Sequence, residues 1–458
     1  MIVDQEEYEA AVSCMVEAAE SARVNRDELL GRLGRAFGRR EPRLQAGTYV
    51  DGLMSDTPRK NGWSLAERAG DRTPDKMQRL LNHAVWDEHE AMGIVRDFVV
   101  EHLGGPDAVA VLDETGQEKK GEHTAGVARQ YVGCAGQVTN AINIVYCTYA
   151  SFRGHAQVGA RVYLPKSWAG DPQRRARAGV GKDVVFQTKP QLALDILTDL
   201  DTAGVLPPWV TGDEVYGRDT TLRVFCEDRG VGYVLGVPCS FPVTLTSRRK
   251  VRADQALKLV PARAWNRASC GQGSKGDRIY AWAWIATASP RHHLLVRRNL
   301  TDPTDQAYFY CYVPQGRRVT LGTLVKIAGM RWPVEEDFQV GKDQFGLDHS
   351  QVRRYTALMR HLVLTMAALA ICAVTAAAMR DATSTLPPAP ARPDEEPPED
   401  PGLIPLTVAE VKRLLNLLTR TWHRPTQHLH WAWWRRRHQA RARWFHQRTR
   451  LQREAEAA

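Results

Sequence analysis

Residues 108–116 read AVAVLDETG, a short apolar run followed at once by two acids and a turn-forming glycine. Such a run, bounded by turn residues, predicts a buried β-strand over 108–112 with Asp113 at its end. Residues 209–217 read WVTGDEVYG and place Asp213 in the same way after a second apolar run. Further strands are predicted at 139–150, 160–164 and 233–237, and a helix near 189–203. Several early strands, a helix and then more strands predict an α/β fold.

Differences in composition along the chain divide it into six regions. We predict, in chain order, a helical region at 1–100, the first part of the core at 101–240, a β-rich insertion at 241–320, a helical second part of the core at 321–380, a Pro-rich acidic linker at 381–405 and a basic, aromatic tail at 406–458. The insertion carries predicted strands at 279–287, 293–298 and 307–313. The linker should be extended and solvated, because it is rich in proline and acid.

The chain has 458 residues and a formal net charge of +10. An excess of Lys and Arg favours a polyanionic partner, because neutralising phosphates releases their counterions. The eight cysteines show no CxxC spacing, so neither a zinc knuckle nor a redox pair is indicated, and we expect reduced thiols.

Two stretches of sequence concern secretion and membrane insertion. The N-terminal sequence MIVDQEEYEA is acidic and lacks the basic and apolar regions of a secretory signal. The apolar run at 362–379 borders on the length of a membrane span. It is rich in alanine and contains two threonines, which favours a buried helix of the core.

Residues 61–81 carry two helix-start signals. Ser64 and Glu67 have capping-box spacing, and Thr73-Pro74 has the form of an N-cap followed by proline. Two short helices joined by a glycine turn at 69–71 suit a helix-turn-helix, in which Lys76 and Arg79 would face DNA. A helical hairpin that binds nothing is the alternative, since many look the same.

The tail is strongly basic, with no Asp or Glu between residues 420 and 453. Arginines recur there among aromatic residues, including Arg435, Arg436 and Arg437 beside Trp433 and Trp434. This mixture is typical of a nucleic-acid contact, through phosphate pairing and stacking. A partner-binding helix, a membrane-surface helix or a partly disordered tail are the alternatives.

Three acids are candidates for phosphodiester chemistry, which needs an activated water and charge neutralisation at phosphorus. Asp113 and Asp213 follow apolar runs, and Glu335 lies seven residues, about two helical turns, before Lys342, so those two share a helix face. Each acid alone also fits an ordinary turn or a solvated helix start. Glu336 and Asp337 should lie on other faces, as solvated acids stabilised by the helix dipole.

Three long segments resemble one known family. They are DETGQEKKGEHTAGVARQYVG at 113–133, TGDEVYG at 211–217 and RWPVEEDFQVGKDQFGLDHSQVRRYTALMRH at 331–361. They resemble the DDE transposases of bacterial insertion sequences, most closely the insertion sequence 701 type. The likeness extends to residues 61–81 and 162–168 and covers roughly 30 to 375, which leaves the tail outside it.

The resemblance implies a ribonuclease-H-like, retroviral-integrase-like core interrupted by a β-rich insertion. It implies that Asp113, Asp213 and Glu335 are catalytic and hold two Mg²⁺ ions, for which Mn²⁺ can substitute. DNA contacts are expected from Lys76, Arg79, Lys119, Lys120, Arg331 and Lys342 and, on composition alone, from Arg435, Arg436 and Arg437 of the tail, which the resemblance does not cover. Two positions depart from the family pattern: Ala328 replaces a tyrosine of the Tyr-Arg-Glu-Lys signature, and Gln117 replaces an apolar residue.

The implied function is metal-dependent cleavage of DNA at transposon ends, followed by strand transfer into target DNA. The implied partners are terminal inverted repeats and target DNA, with a homodimer assembled on DNA and no membrane, in the bacterial cytoplasm at the nucleoid. Two alternatives stay open: a silent, domesticated DNA-binding protein, and a metal-dependent nuclease without strand transfer.

Overall fold

A computed structural model of the chain describes residues 5–133, 136–273, 276–386, 400, 402–419 and 425–457. The described helices are α1 Gln5–Leu33, α2 Arg40–Leu53, α3 Gly62–Arg68, α4 Asp75–Asn82, α5 Glu88–Leu103, α6 Lys166–Ala169, α7 Pro172–Arg177, α8 Lys189–Thr202, α9 Glu214–Gly217, α10 Thr220–Asp228, α11 Ala253–Leu257, α12 Leu321–Gly329, α13 Trp332–Phe345, α14 Tyr355–Ala378, α15 Arg380–Thr383, α16 Val408–Thr419 and α17 Pro425–Ala457.

The described strands are β1 Val109–Glu118, β2 Ala128–Val132, β3 Gln137–Ala150, β4 His155–Tyr163, β5 Trp209–Gly212, β6 Gly232–Val237, β7 Pro242–Thr244, β8 Lys250–Arg252, β9 Asn266–Gly273, β10 Gly276–Ala286, β11 His292–Arg298 and β12 Gln306–Tyr312. Ten of these strands form one sheet, and β7 and β8 form a separate pair. The chain is therefore a mixed α/β protein, as the sequence predicts.

Five strands in the order β4-β3-β1-β5-β6 pair at one end of the sheet, where β2 also pairs with β3. β1, β3 and β4 pair antiparallel, and β5 and β6 then run parallel to β1. Helices connect the parallel strands, since α8 precedes β5 and α10 precedes β6. This arrangement is that of a ribonuclease-H-like core, so the fold prediction is confirmed.

The strands of the β-rich segment continue this sheet. β12 pairs antiparallel with β6, and β11, β10 and β9 follow outward from it. A second, smaller apolar cluster lies under them, including Val237, Val243, Val251, Leu294 and Val296. The segment thus widens the core sheet, and its return to the core places α12 and α13 near β1 and β5 in space.

Helix α14 is the one described helix that is long and apolar enough to cross a membrane. Most of it lies inside the protein, since 83% of its most apolar 18-residue window is buried. This burial agrees with the predicted core helix. The helix packs against α1, α5 and β4, so other parts of the protein cover it on several sides.

Two polar residues of α14 tie the core to the N-terminal helices. Arg360 is buried, forms an ion pair with Glu88 and donates hydrogen bonds to the carbonyls of Leu81, Ala84 and Trp86. The buried His361 imidazole lies 2.9 Å from the Tyr49 hydroxyl. Burial lowers the pKa of His361 to about 4, so this ring is neutral.

Several local expectations differ in detail. Strand β1 does not end before Asp113 but continues to Glu118, because β3 is long enough to pair with it throughout. The cap of α3 is Asn61, which accepts from the backbone N–H groups of Trp63 and Ser64, so Ser64 is the third helical residue instead of the N-cap. The N-cap of α4 is Pro74, one residue later than expected.

The predicted linker lies mostly outside the described residues, which omit 387–399 and 401. The described residues near its two ends lie next to each other, because the Thr385 N–H donates to the Leu403 carbonyl at 3.0 Å. Beyond it, α16 packs against α1 and α14, and Val411 and Leu415 join the core. The first part of the tail is therefore a component of the globular body.

Candidate active site

Strand register places Asp113 beside Asp213. β1 and β5 run parallel, with Leu112 paired to Gly212, so the two aspartates follow adjacent, paired residues. Neighbouring strands lie about 4.8 Å apart, which brings the two side chains to one place on the sheet. The interruption of pairing after Gly212 leaves this place open, because β5 ends there while β1 continues.

The backbone after Asp213 turns at once into the short helix α9. The Asp213 carboxylate caps this helix by accepting from the Val215 N–H at 2.8 Å. Gly217 closes the turn against β6: a Cβ there would lie 1.9 Å from the Gly236 carbonyl oxygen. The second glycine of TGDEVYG is thus required by close backbone packing, which holds the Asp213 turn against the sheet.

Arg331 connects the first aspartate to the predicted third acid. One guanidinium nitrogen lies 3.2 Å from an Asp113 oxygen, and another lies 2.5 Å from a Glu335 oxygen. Arg331 immediately precedes α13, where Trp332 and Pro333 form the first turn and Gly346 ends the helix with a φ of +69°. Asp113, Asp213 and Glu335 therefore border one site, with Arg331 between two of them.

Burial dominates the electrostatics of the two aspartates. Burial raises the pKa of Asp113 to about 7, against the lowering effect of Arg331 and with a further rise from Asp213 and Glu114. The pKa of Asp213 is also raised, first by burial and then by Glu114. Both aspartates thus have a raised pKa, and shifted pKa values of this kind are a common property of functional sites.

Glu114 is a fourth carboxylate at the site, and the sequence reasoning did not single it out. Lys189 lies 2.6 Å from one oxygen, and the Tyr216 hydroxyl donates to the other at 2.7 Å. Burial and Glu114 together raise the pKa of Tyr216. Glu114 links β1 to α8 and α9, so it positions the turn that carries Asp213. No local sequence signal predicts this role, since its partners are far along the chain.

Lys342 reaches the same strand as Asp113. Its amine donates to the Thr115 hydroxyl at 2.7 Å, and Thr115 lies two residues beyond Asp113 on β1. Residues two apart on a strand share a face, as do Glu335 and Lys342 on their helix. The predicted shared face of α13 is therefore the face that covers β1. A DNA phosphate contact by Lys342 stays a prediction.

The expectation that Asp337 is a solvated acid was wrong. Its side chain is 3% exposed and lies 2.8 Å from a ring nitrogen of His155 on β4. The Thr148 hydroxyl of β3 donates to its other oxygen at 2.9 Å. Glu336 is 56% exposed and lies 3.6 Å from the same histidine. Asp337 thus anchors α13 to the sheet two residues after Glu335.

The charge of His155 is set by these partners. Burial lowers its pKa, but Asp337 and Glu336 outweigh that effect and raise the pKa to about 10. The ring is therefore protonated at neutral pH and forms a true ion pair with Asp337. The sequence offers no signal for this pair, whose members are 182 residues apart.

The remaining predicted DNA contacts lie away from the acids. Lys119 donates to the Ser350 carbonyl at 2.8 Å, and burial lowers its pKa to about 8, whereas Lys120 is exposed. On α4, Lys76 pairs with Asp71 at 2.6 Å, and Arg79 is exposed. In the tail, Arg435 pairs with Glu67, and Arg436 and Arg437 are exposed. Contact of all these residues with DNA stays a prediction.

Both departures from the family pattern are buried. Ala328 is 7% exposed in α12, one turn before Arg331, so this position supplies no aromatic or hydroxyl group to the site. Gln117 is 1% exposed, and its amide donates to the Leu347 carbonyl at 3.0 Å. Gln117 therefore joins β1 to the segment that follows α13.

The donor chemistry suits a divalent cation. Asp113, Asp213, Glu114 and Glu335 offer hard carboxylate oxygens, the ligand type that Mg²⁺ and Mn²⁺ prefer. In the ion pairs of the described residues these four carboxylates meet only two cations, Arg331 and Lys189, so negative charge is in formal excess there. Among the described residues, no three His, Cys, Asp or Glu side chains are already grouped as a metal site. The Arg331 guanidinium lies between Asp113 and Glu335.

Two family models match the chain. The model described as DDE superfamily endonuclease matches residues 32–275, and that described as transposase DDE domain matches residues 187–371. The first match spans more than half of the chain and includes Asp113 and Asp213. The second includes Asp213 and Glu335. The chain belongs to the DDE superfamily endonucleases, which confirms the family expected from its sequence.

A curated relative comes from Microchaete diplosiphon and is named a probable transposase for insertion sequence element IS701. The two are 25% identical over 203 residues, which cover 44% of this chain and 50% of the relative. The chain thus spans about half the length of this relative. Among solved structures, the piggyBac transposase synaptic complex with hairpin DNA aligns with 91% of this chain and 83% of its own, at 9% identity and a TM-score of 0.42.

The raised pKa of Asp113 predicts a pH-dependent cost to stability. The folded state binds its proton up to about pH 7, whereas the unfolded chain loses it near pH 4, so this group contributes less stability as pH rises through that window. In EDTA, Asp113→Asn should therefore be more stable than wild type at pH 8, by about 1–3 kcal/mol, and the gain should shrink at pH 5. Denaturant unfolding at the two pH values measures it.

Glu214→Gln is the matched control for this experiment. Glu214 is 55% exposed and pairs only with Arg218 among the ion pairs of the described residues, so its replacement should leave the pH dependence unchanged. A variant at Asp113 that is less stable than wild type at pH 8 would contradict the prediction. Such a result would mean that the pairing with Arg331 outweighs the cost of burial.

Proposed function

We propose that this protein is a transposase that cuts DNA at the ends of its mobile element and joins those ends to target DNA. One observation carries the proposal: register sets Asp113 beside Asp213, and Arg331 links Asp113 to Glu335. Family membership agrees with it, because each of the three acids lies within a segment matched by a DDE family model.

Asp113, Asp213 and Glu335 are the residues proposed to hold two Mg²⁺ ions, or Mn²⁺ in their place. Such ions supply an activated water and stabilise the leaving oxygen of the phosphodiester. To act as a ligand, the Glu335 carboxylate has to exchange its pairing with Arg331. The released guanidinium is then free to pair with a DNA phosphate, which Arg331 does well because of its planar fork.

The other residues at the site orient these acids. Asp213 is held by its cap on α9, whose Tyr216 is bonded to Glu114, and Glu335 is held by α13, which Asp337 fixes against the sheet. Lys342 lies at the Thr115 end of the same surface and is proposed to bind phosphate beside the acids. Fixed donors and charges of this kind act by positioning the reacting groups.

We propose that DNA is gripped by α3, α4 and the basic tail, including Lys76, Arg79, Arg436 and Arg437. Lys119 and Lys120 are proposed as further contacts beside the core. Pairing two element ends implies a homodimer on DNA, and the action is placed at the nucleoid in the bacterial cytoplasm. The division of the chain at about residues 100, 240, 320, 380 and 405 is part of the same proposal.

Cleavage of labelled DNA tests the proposed function. The substrate is a duplex that carries the element's own terminal repeat, incubated with Mg²⁺ or EDTA and with a supercoiled target plasmid. We expect cutting at the repeat boundary with Mg²⁺, none with EDTA, and label joined to the plasmid. Cutting without joined product would support a plain nuclease, and binding without cutting would support a silent DNA-binding protein. Either result would overturn the proposal.

A further inference from the structure

The tail helix α17 is anchored on the predicted helix-turn-helix. Trp431 is fully buried, and its indole N–H donates to the Asp71 carbonyl at 2.9 Å. Gln427 donates to the same carbonyl, and His430 lies 2.8 Å from the Arg72 carbonyl. These three side chains of α17 therefore bind the backbone of the turn between α3 and α4.

The side of α3 is covered by the next turns of α17. Trp63 meets Trp434 and His438 edge to face, with ring centroids 4.8 Å and 4.6 Å apart. Arg435 pairs with Glu67 at 2.5 Å. Arg435 is therefore an anchor within the protein, in contrast to its neighbours Arg436 and Arg437, which are exposed.

From Arg436 onward the helix presents a dense array of exposed cations. Five exposed arginines follow along the helix: Arg436, Arg437, Arg441, Arg443 and Arg448. The helix has no Asp or Glu before Glu454. Three of the arginines lie over aromatic rings: Arg437 over Trp433 at 5.3 Å, Arg441 over Phe445 at 5.8 Å and Arg448 over Trp444 at 5.7 Å.

Such an array is unfavourable by itself. Like charges one turn apart on a helix repel each other, and residues 436–448 contain no Asp or Glu to compensate for them. Stacking on Trp and Phe holds the guanidinium groups in place and leaves their N–H edges for an anion. Residues 436–448 span about 18 Å along the helix, and a DNA duplex presents about one phosphate per 1.7 Å of its axis. The positive charge of this segment and its length therefore suit contact with several phosphates of a duplex.

We propose that α17 is a basic arm with two parts: residues 427–438 anchor it on α3 and α4, and the exposed arginines from 436 to 448 bind the phosphates of duplex DNA. The anchor makes the arm a fixed extension of the helix-turn-helix, so both contact one DNA segment. This inference rests on the proposed function in that the DNA is the element's end. Its chemistry requires only phosphate contacts, without base recognition.

The test is the salt dependence of binding in EDTA, so that cutting plays no part. The arm variant carries Arg→Gln at the five exposed arginines, and the charge-matched control carries Gln at Arg248, Arg249, Lys250, Arg263 and Arg291, exposed residues of the β-rich segment. Each phosphate contact contributes about 0.9 to the slope of log K against log salt. We expect the arm variant to lose about 3–4 from this slope, and the control to lose less than about 1.

A second variant separates the anchor from the charges. Trp431→Ala with Trp434→Ala should keep the slope within about 1 of wild type, because the arginines remain. Its affinity should fall about tenfold or more, since the arm is no longer held beside α3 and α4. Circular dichroism of each variant checks that helix content is kept.

The outcomes are distinguishable. An arm variant that keeps the wild-type slope overturns the inference, and with it the tail's part in gripping DNA, while leaving the proposed cutting and joining intact. A wild-type chain that binds no DNA overturns both. Binding to vesicles with 30% phosphatidylserine that is lost in the arm variant, with an unchanged DNA slope, would assign the arm to a membrane. An arm-dependent dimer mass in sedimentation with an unchanged DNA slope would assign it to a second copy.

Discussion

Asp213→Ala should lower the rate of cutting at the repeat boundary by at least about a thousandfold, while Glu214→Ala should cut at close to the wild-type rate. The two acids are adjacent in the sequence and differ in placement. Asp213 is partly buried beside Asp113, whereas Glu214 is 55% exposed and pairs with Arg218. The comparison therefore changes one carboxylate at a time within the same turn.

The size of the effect follows from the role of the site. A fixed carboxylate that neutralises charge at phosphorus acts mostly in the transition state, so its loss reduces the rate far more than it reduces DNA binding. Affinity for the repeat in EDTA should consequently change by less than about threefold in the Asp213 variant. Asp213→Asn tests the same point with the cap on α9 largely retained, because an amide oxygen also accepts from the Val215 N–H.

The measurement is single-turnover cleavage of end-labelled repeat DNA with Mg²⁺. Cutting that survives Asp213→Ala would show that this aspartate is not at the reacting centre. Loss of cutting in both Asp213→Ala and Glu214→Ala, with normal unfolding curves, would show that the turn itself matters more than either carboxylate. Both results would contradict the assignment of Asp213.

Replacement of Asp337 should weaken both the fold and catalysis. Asp337→Ala leaves the protonated His155 without its main partner and leaves the Thr148 hydroxyl without its acceptor. Removing one member of a buried ion pair typically costs about 3–5 kcal/mol. His155 is 25% exposed, so water recovers part of this, and we expect a loss of about 2–4 kcal/mol.

The effect should depend on pH with a definite sign. The pKa of His155 is raised to about 10 in the folded state, so the pair contributes fully below about pH 6.5 and is lost as pH rises through 10. The stability gap between wild type and Asp337→Ala should therefore be larger at pH 6 than at pH 10. Urea unfolding at the two pH values measures it, and an equal gap would contradict the charged pair.

A role in positioning Glu335 adds a catalytic readout. Asp337 lies two residues after Glu335 and ties α13 to β3 and β4, so its loss should lower the cutting rate even at temperatures where the variant is folded. Glu336→Ala is the control, because Glu336 is 56% exposed and lies farther from the same histidine. Asp337→Asn should recover part of the rate by keeping the Thr148 hydrogen bond. A folded Asp337→Ala protein with the wild-type rate would exclude the positioning role.

Some of the site was predictable because its signals are local. The apolar runs before Asp113 and before Asp213 each predict a strand from neighbouring residues alone. The start of α13 is likewise predicted by consecutive residues, because proline favours the first turn of a helix. The spacing of Glu335 and Lys342 predicts a shared helix face; Lys342 contacts β1 directly, and Glu335 pairs with Arg331, which also pairs with Asp113 of β1. In these cases periodicity and turn chemistry suffice, since neither depends on distant residues.

Other features required distant partners. Asp337 has the sequence context of a solvated helix start, and only its approach to His155 and Thr148 makes it a buried anchor. Glu114 is one of two successive acids, and Lys189 and Tyr216 decide that it positions the site. The length of β1 was also set by its partner, because β3 pairs with it past Asp113. Burial and pairing of this kind have no signature in neighbouring residues.

By itself, the sequence determined the family, the α/β class, the acids Asp113, Asp213 and Glu335 as candidates, and the basic character of the tail. These depend on residue identity, short-range periodicity and net charge, which a linear chain already displays. Only the tertiary structure decided that Arg331 lies between Asp113 and Glu335, that Asp337 pairs with His155, and that Trp431 fastens α17 to the α3–α4 turn. Those contacts join residues far apart in the chain, and they form because burying their polar groups is favourable only where a distant partner satisfies them.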